Sequence, residues 1–194
     1  MSIPDKKISQ IPIGLDYHTI YNNKVYWAKT KQTPVTQEKV IFDLLKDAKP
    51  FYERSLKAYC NFLHAIRGRY GLSDRSLALN QINHKLLYFE EQQVTRDVSW
   101  KNMISCAFVL SPLGNGLDCH RTWEALVLGC IPIVKTSVLD PLYHDLPVLI
   151  VENWFDVTEE LLKATLIFFR NKPFNYKKLT LQYWVNVIKS YTIY

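Results

Sequence analysis

Two short runs without a polar side chain, Cys106 to Leu110 and Ile131 to Val134, flank a stretch whose apolar residues recur at helical spacing. A strand that is apolar at every position is covered on both faces, which is the condition of a parallel sheet layered between helices. A small-residue loop, Gly114-Asn115-Gly116, leads from the first run, and Gly129 closes the helical stretch before the second. The unit therefore predicts strand, helix over Asp118 to Gly129, and strand, joined as a parallel crossover.

The same alternation extends along the chain. Ile11 to Leu15 reads as a short strand ending in the polar cluster Asp16, Tyr17, His18, Thr19. Thr33 followed by Pro34 marks a helix start, with Val40, Ile41, Leu44 and Leu45 at helical spacing. Leu56, Ala58, Cys60 and Phe62 alternate with more polar residues as in a strand. Ser73 is expected to cap a helix reaching Ile82, Lys85 to Phe89 a strand, and Thr95 the cap of a helix through Met103. Val148 to Val151 reads as a last strand, followed by helices near Val157 to Arg170 and Lys178 to Lys189. The expected fold is α/β: one Rossmann-like domain over residues 1–194, with a mostly parallel sheet and helices on both faces. Ligands on such sheets bind at the carboxyl ends of the strands.

Composition narrows the class. A hydrophobic fraction of 48% and a charged fraction of 22% suit a globular chain and exclude collagen-like or disordered ones. No apolar run approaches the roughly 18 residues of a membrane span. The polar Met1 to Gln10 has no apolar leader pattern, so a cytoplasmic location is expected. Cys60, Cys106, Cys119 and Cys130 lack zinc-ligand spacing and read as reduced core residues, and no metal site is expected. The net charge of +6 is spread along the chain, and the basic, aromatic stretch from Lys163 to Lys189 fits a solvated helix face over core aromatics better than a nucleic-acid platform.

The glycine loop carries the chemistry. A buried strand, a small-residue loop and a helix N-terminus in succession let a phosphate approach backbone N–H groups. The loop has neither the G-x-G-x-x-G spacing nor a P-loop lysine, which disfavours nicotinamide and ATP-hydrolysing readings. Asp118 is placed as N-cap, and His120, Arg121 and Glu124 fall on one side of the first two turns, with Trp123, Leu126, Val127 and Cys130 towards the core. A cation such as Arg121 at a helix N-terminus opposes the helix dipole unless an anion sits there. An amphipathic helix with an Asp cap and an Arg–Glu surface pair accounts for the same residues equally well. Cys119 and His120 do not form a nucleophile–base pair, because adjacent helical residues point about 100° apart.

Elsewhere, Asp16 and His18 follow an expected strand and are candidates for a general base, a turn being the plainer alternative. Lys135, Thr136 and Ser137 follow the strand ending at Val134, at the same sheet edge, and are candidates to contact a diphosphate or sugar, a polar loop between strand and helix being an equal alternative. Arg54 and His144 are expected to be a surface and a structural residue.

The stretch Phe108 to Val134 resembles the donor-binding motif of exostosin-like glycosyltransferases. It shares Leu110-Ser111-Pro112, Gly114-Asn115-Gly116, Arg121-Thr122-Trp123-Glu124-Ala125-Leu126 and Gly129-Cys130-Ile131-Pro132-Ile133-Val134. The resemblance implies the donor-binding half of a GT-B enzyme, two Rossmann-like domains facing across a cleft. It implies Arg121 on the diphosphate of a nucleotide sugar, Glu124 on the ribose, Gly114 and Gly116 close to the donor, and Ser111 and Asn115 as hydrogen-bonding neighbours. It also implies sugar transfer to an acceptor hydroxyl without a metal or other cofactor, in keeping with the lack of an Asp-x-Asp triplet. The chain's length holds one such domain. The acceptor domain is then expected to be missing, supplied by another polypeptide or lost in a degenerate copy, and a non-catalytic module that binds nucleotide or a partner chain is the alternative.

Overall fold

The computed structural model describes residues 9–22, 28, 30–62 and 71–191. Among these, five strands form one parallel sheet: β1 (Ser55–Cys60), β2 (Leu87–Phe89), β3 (Cys106–Leu110), β4 (Ile131–Lys135) and β5 (Leu149–Val151), in the order β2-β1-β3-β4-β5. The helices are α1 (His18–Asn22), α2 (Pro34–Lys46), α3 (Gly71–Gln81), α4 (Arg96–Met103), α5 (His120–Val127), α6 (Glu159–Arg170) and α7 (Leu181–Tyr191). The architecture is the expected α/β, Rossmann-like one.

Strand β3 is buried at all five positions, as an apolar run at the centre of a two-sided sheet requires. Ala78 of α3 and Leu162 and Phe169 of α6 pack against one face with Ala58, Cys60, Phe108 and Ile133. Ile41 of α2, Trp100 and Met103 of α4, and Ala125 of α5 cover the other with Tyr59 and Val109. The faces follow from topology. Right-handed crossovers place a helix on one face when the chain moves one way across the sheet and on the other face when it reverses. The chain moves from β1 to β2 through α3, then back past β1 to β3 and on to β4, so α4 and α5 lie opposite α3.

Pro132 inside β4 is tolerated for a specific reason. Ser111 N–H donates to Ile133 O and Thr136 N–H to Val151 O, so odd positions of β4 face β3 and even ones face β5. Pairing with β5 begins at Ile133 with Leu149, so the N–H that Pro132 lacks points to where no ladder has started.

Local capping follows the sequence closely at two helices: Thr33 accepts from Thr36 N–H ahead of Pro34, and Thr158 accepts from Leu161 N–H at the start of α6. Other expectations need correction. Ile11 to Leu15 is not a strand: Pro12 has no N–H, Gly14 turns the chain at φ +69°, and the backbone bonds side chains, Ile13 N–H donating to Asp118 Oδ2 (2.7 Å). Ser73 is not a cap, since α3 already runs at Gly71. The expected strand at Lys85 begins only at Leu87, after a 3-10 turn capped by Asn83. Cys119, not Asp118, is the N-cap of α5, because the Asp118 carboxylate is drawn to Ile13 N–H and Trp123 Nε1–H (2.9 Å).

Arg54 is also more than a surface cation. Its Nη1 donates to Leu128 O (3.1 Å) and caps the C-terminus of α5. Of the aromatics in the C-terminal third, Phe169 joins the core as expected, whereas Phe168 is exposed with the Lys172 ammonium over its ring. No described helix is long and apolar enough to cross a membrane.

Candidate functional site

The reversal of chain direction between β1 and β3 sends the connections after these neighbours to opposite faces. Doubly wound sheets open a crevice at such a point, beyond the carboxyl ends of the strands. Here it holds a cavity of about 530 Å³, walled by Gly114, Asn115, Gly116, Cys119, His120, Arg121 and Glu124 from β3 to α5. Ile13, Asp16 and Thr19 add a second wall, and Arg75 of α3 and Arg96 of α4 close it. The volume falls in the range of small-molecule sites.

The loop after β3 is held from several sides. Asp74 of α3 is buried and accepts Leu113 N–H at one oxygen and Trp154 Nε1–H at the other, both at 2.8 Å. Its neighbour Arg75 donates from Nε to Leu113 O (3.0 Å). Gly114 is a close approach, because a Cβ there would stand 3.0 Å from Cys119 Sγ and 3.4 Å from Arg75 Nη2. Gly116 has nothing within 4 Å of that position, so nothing in the fold demands glycine there. Ser111 is buried, and its hydroxyl shares a 2.8 Å hydrogen bond with Thr122 of α5.

Two cations share one aromatic platform. The guanidinium carbons of Arg75 and Arg121 lie 5.4 and 5.6 Å from the centroid of the Phe62 ring, just past the end of β1. Arg121 Nη1 also donates to Asn61 O. Burial lowers the pKa of Arg75, and the like charge of Arg121 lowers it further. Two positive groups are thus fixed beside the N-terminus of α5, whose N-cap Cys119 makes no side-chain capping bond.

A third arginine does a different job. Arg96 is buried; it donates from Nη2 to Asp16 Oδ2 (3.1 Å), from Nη1 to Gln37 Oε1 (3.1 Å) and to Asp16 O, and its Nε stands 3.9 Å from Glu124 Oε1. Asp16 also accepts Thr19 N–H and holds His18 Nδ1 at 2.9 Å. Burial acts against its charged form, but the Thr19 hydrogen bonds and the Arg96 and His18 charges outweigh it and lower the Asp16 pKa. The Asp16–Arg96 pair ties the segment before α1 to α4.

Of the residues picked out in the sequence, Asp16, Gly114, Asn115, Gly116, Arg121 and Glu124 meet on the cavity wall. His18 is exposed beside it, its ring 6.1 Å from that of His120. Lys135, half-buried at the end of β4, is not part of the wall, and neither is Ser111. Cys119 lines the cavity half-buried, whereas Cys60, Cys106 and Cys130 are core residues, and all four are free thiols. The sequence pattern does not single out Arg75, Arg96 or Thr19, which also line the cavity. Arg96 did carry a legible signal, since a cation at the first position of a helix is as anomalous there as Arg121 is on α5. Among the described residues no group of three or more His, Cys, Asp or Glu is disposed to hold a metal.

No family model matches this sequence, and no curated protein matches it either.

Proposed function

We propose that the cavity binds a nucleoside diphosphate sugar and that the chain is the donor-binding half of a metal-independent glycosyltransferase. The observation that carries this reading is the Arg75–Arg121 pair on Phe62, at the switch point of a parallel sheet and facing the Gly114 loop. Adjacent cations repel each other, and a doubly charged anion bridging them turns that repulsion into attraction. The first-turn N–H groups of α5 add partial positive charge at the same place. A diphosphate fits both the charge and the crevice, and Glu124 one turn along α5 supplies an acceptor for ribose hydroxyls. Arg75 and Arg121 would also hold the charge that develops on the leaving diphosphate. Asp16 belongs to this reading through its hold on Arg96 and His18.

The test is thermal denaturation with UDP, GDP and their sugars at millimolar concentration. A ligand at 100 times its Kd raises folding stability by about 2.7 kcal/mol. A rise with a diphosphate and none with uridine or guanosine is expected. Arg121→Ala should remove most of the rise, weakening binding about 10- to 100-fold, as loss of a charged hydrogen bond does. If no nucleoside diphosphate moves the melting temperature, the cavity is not a donor site.

A further inference from the structure

His120 lines the cavity and is left unused by diphosphate and ribose binding. Its Nδ1 lies 2.7 Å from Gly14 O. A carbonyl oxygen only accepts, so Nδ1 carries the hydrogen, and in the neutral ring the lone pair is on Nε2. The carbonyl is itself held in place. Gly14 turns at φ +69°, and Ile13 N–H is fixed on Asp118 Oδ2, whose carboxylate also accepts from Trp123 of α5. One tautomer and one ring orientation are thereby imposed from the backbone, without a buried counter-charge. This is the arrangement a general base requires.

The cavity's carboxylates are less suited to that work. Asp16 is committed to Arg96, Thr19 N–H and His18, Asp118 to Ile13 and Trp123, and Glu124 faces Arg96. His18 carries its own Nδ1 contact to Asp16 but stands outside the wall, with its side chain 68% exposed.

We propose that His120 is the general base of the transfer, taking the proton of the acceptor hydroxyl on Nε2. The inference rests on the donor reading above. As the proton moves to Nε2, the hydroxyl oxygen forms its bond to the anomeric carbon. The bond from that carbon to the diphosphate oxygen breaks, and its electron pair leaves on the diphosphate between Arg75 and Arg121. The charged and titratable groups that line the cavity with the imidazole are Asp16 before α1, Arg75 from α3, Arg96 from α4, Asp118 and Cys119 before α5, and Arg121 and Glu124 on α5, with the His18 ring 6.1 Å away.

The experiment uses the full chain with UDP-glucose and GDP-mannose as probes, water and added simple glycosides as acceptors, and release of UDP or GDP as the readout. Binding of UDP and GDP is measured separately by calorimetry. His120→Gln, checked for folding by its melting curve, should bind the diphosphate within about threefold of wild type. Its turnover should fall about 100-fold or more, the usual contribution of a general base. His120→Gly should regain activity with added imidazole. Equal turnover of His120→Gln and wild type, turnover not rescued by imidazole, or wild-type binding without release of UDP or GDP each overturns the base assignment alone. Absence of diphosphate binding in the wild type overturns the donor reading beneath it.

Discussion

The two ends of α5 are built on opposite plans. At the C-terminal end the carbonyls of Glu124, Ala125, Leu126 and Leu128 have backbone or guanidinium partners. Gly129 N–H bonds Leu126 O, Cys130 N–H bonds Ala125 O at 2.8 Å, Gly129 adopts φ +69°, and Arg54 caps Leu128 O. This is a Schellman termination reinforced by a cation at the negative end of the dipole. At the N-terminal end Cys119 gives no side-chain cap, and His120, Arg121 and Glu124 project into an open cavity. What holds that end is charge supplied from elsewhere, through Arg96 between Asp16 and Glu124. The closed end anchors the helix, and the open end leaves polar groups lining the cavity.

Substitutions at the two ends should therefore separate stability from binding and pH dependence from its absence. The largest effect on stability is expected for Asp16→Asn, which leaves the buried Arg96 short of its charge partner and should cost about 3 kcal/mol in denaturant unfolding at pH 7. The Asp16 pKa is lowered from its ordinary value of 3.8. Its contribution is complete above the unfolded value and is lost as pH falls through the lower folded value. The gap between wild type and variant should accordingly close under acid conditions, and a gap independent of pH would show that charge does not hold this end.

Arg54→Ala comes next, at about 2 kcal/mol, because Leu128 O loses a charge-assisted partner and the space beside Cys130 is vacated. Measured by urea unfolding, this loss should be the same at pH 7 and pH 4, and UDP affinity should be unchanged. Gly129→Ala should cost about 1 kcal/mol, since φ is positive and the new Cβ would stand 3.1 Å from Arg54 Nη2. In Arg54→Ala that contact is gone, so the double variant should lose less than the sum of the two. Strict additivity would mean that the backbone strain alone matters.

The closed end of α5 was the more legible of the two. Gly129 after an apolar helical run is a termination signal carried by neighbouring residues, and the Thr33-Pro34 helix start is of the same kind. The apolar runs of β3 and β4 declared their burial through the lack of any polar alternation. Ile11 to Leu15 shows where such signals fail. A short apolar run resembles a strand, yet this one bonds side chains of α5 and the loop before it, contacts more than 100 residues away in sequence. Asp118 stands where a cap is expected and does not act as one for the same reason, since its partners lie outside the local pattern.

What the sequence by itself determined is the parallel α/β order and the loop-to-helix course of the Gly114 to Glu124 segment, because hydrophobic period, capping and turn chemistry are properties of adjacent residues. The tertiary structure alone decided that Arg75 and Arg121 share the ring of Phe62, that Asp16 is spent on Arg96, and that Gly14 orients His120. These residues come from segments far apart in the chain. They meet because the sheet reverses direction between β1 and β3, a long-range choice that no local pattern encodes.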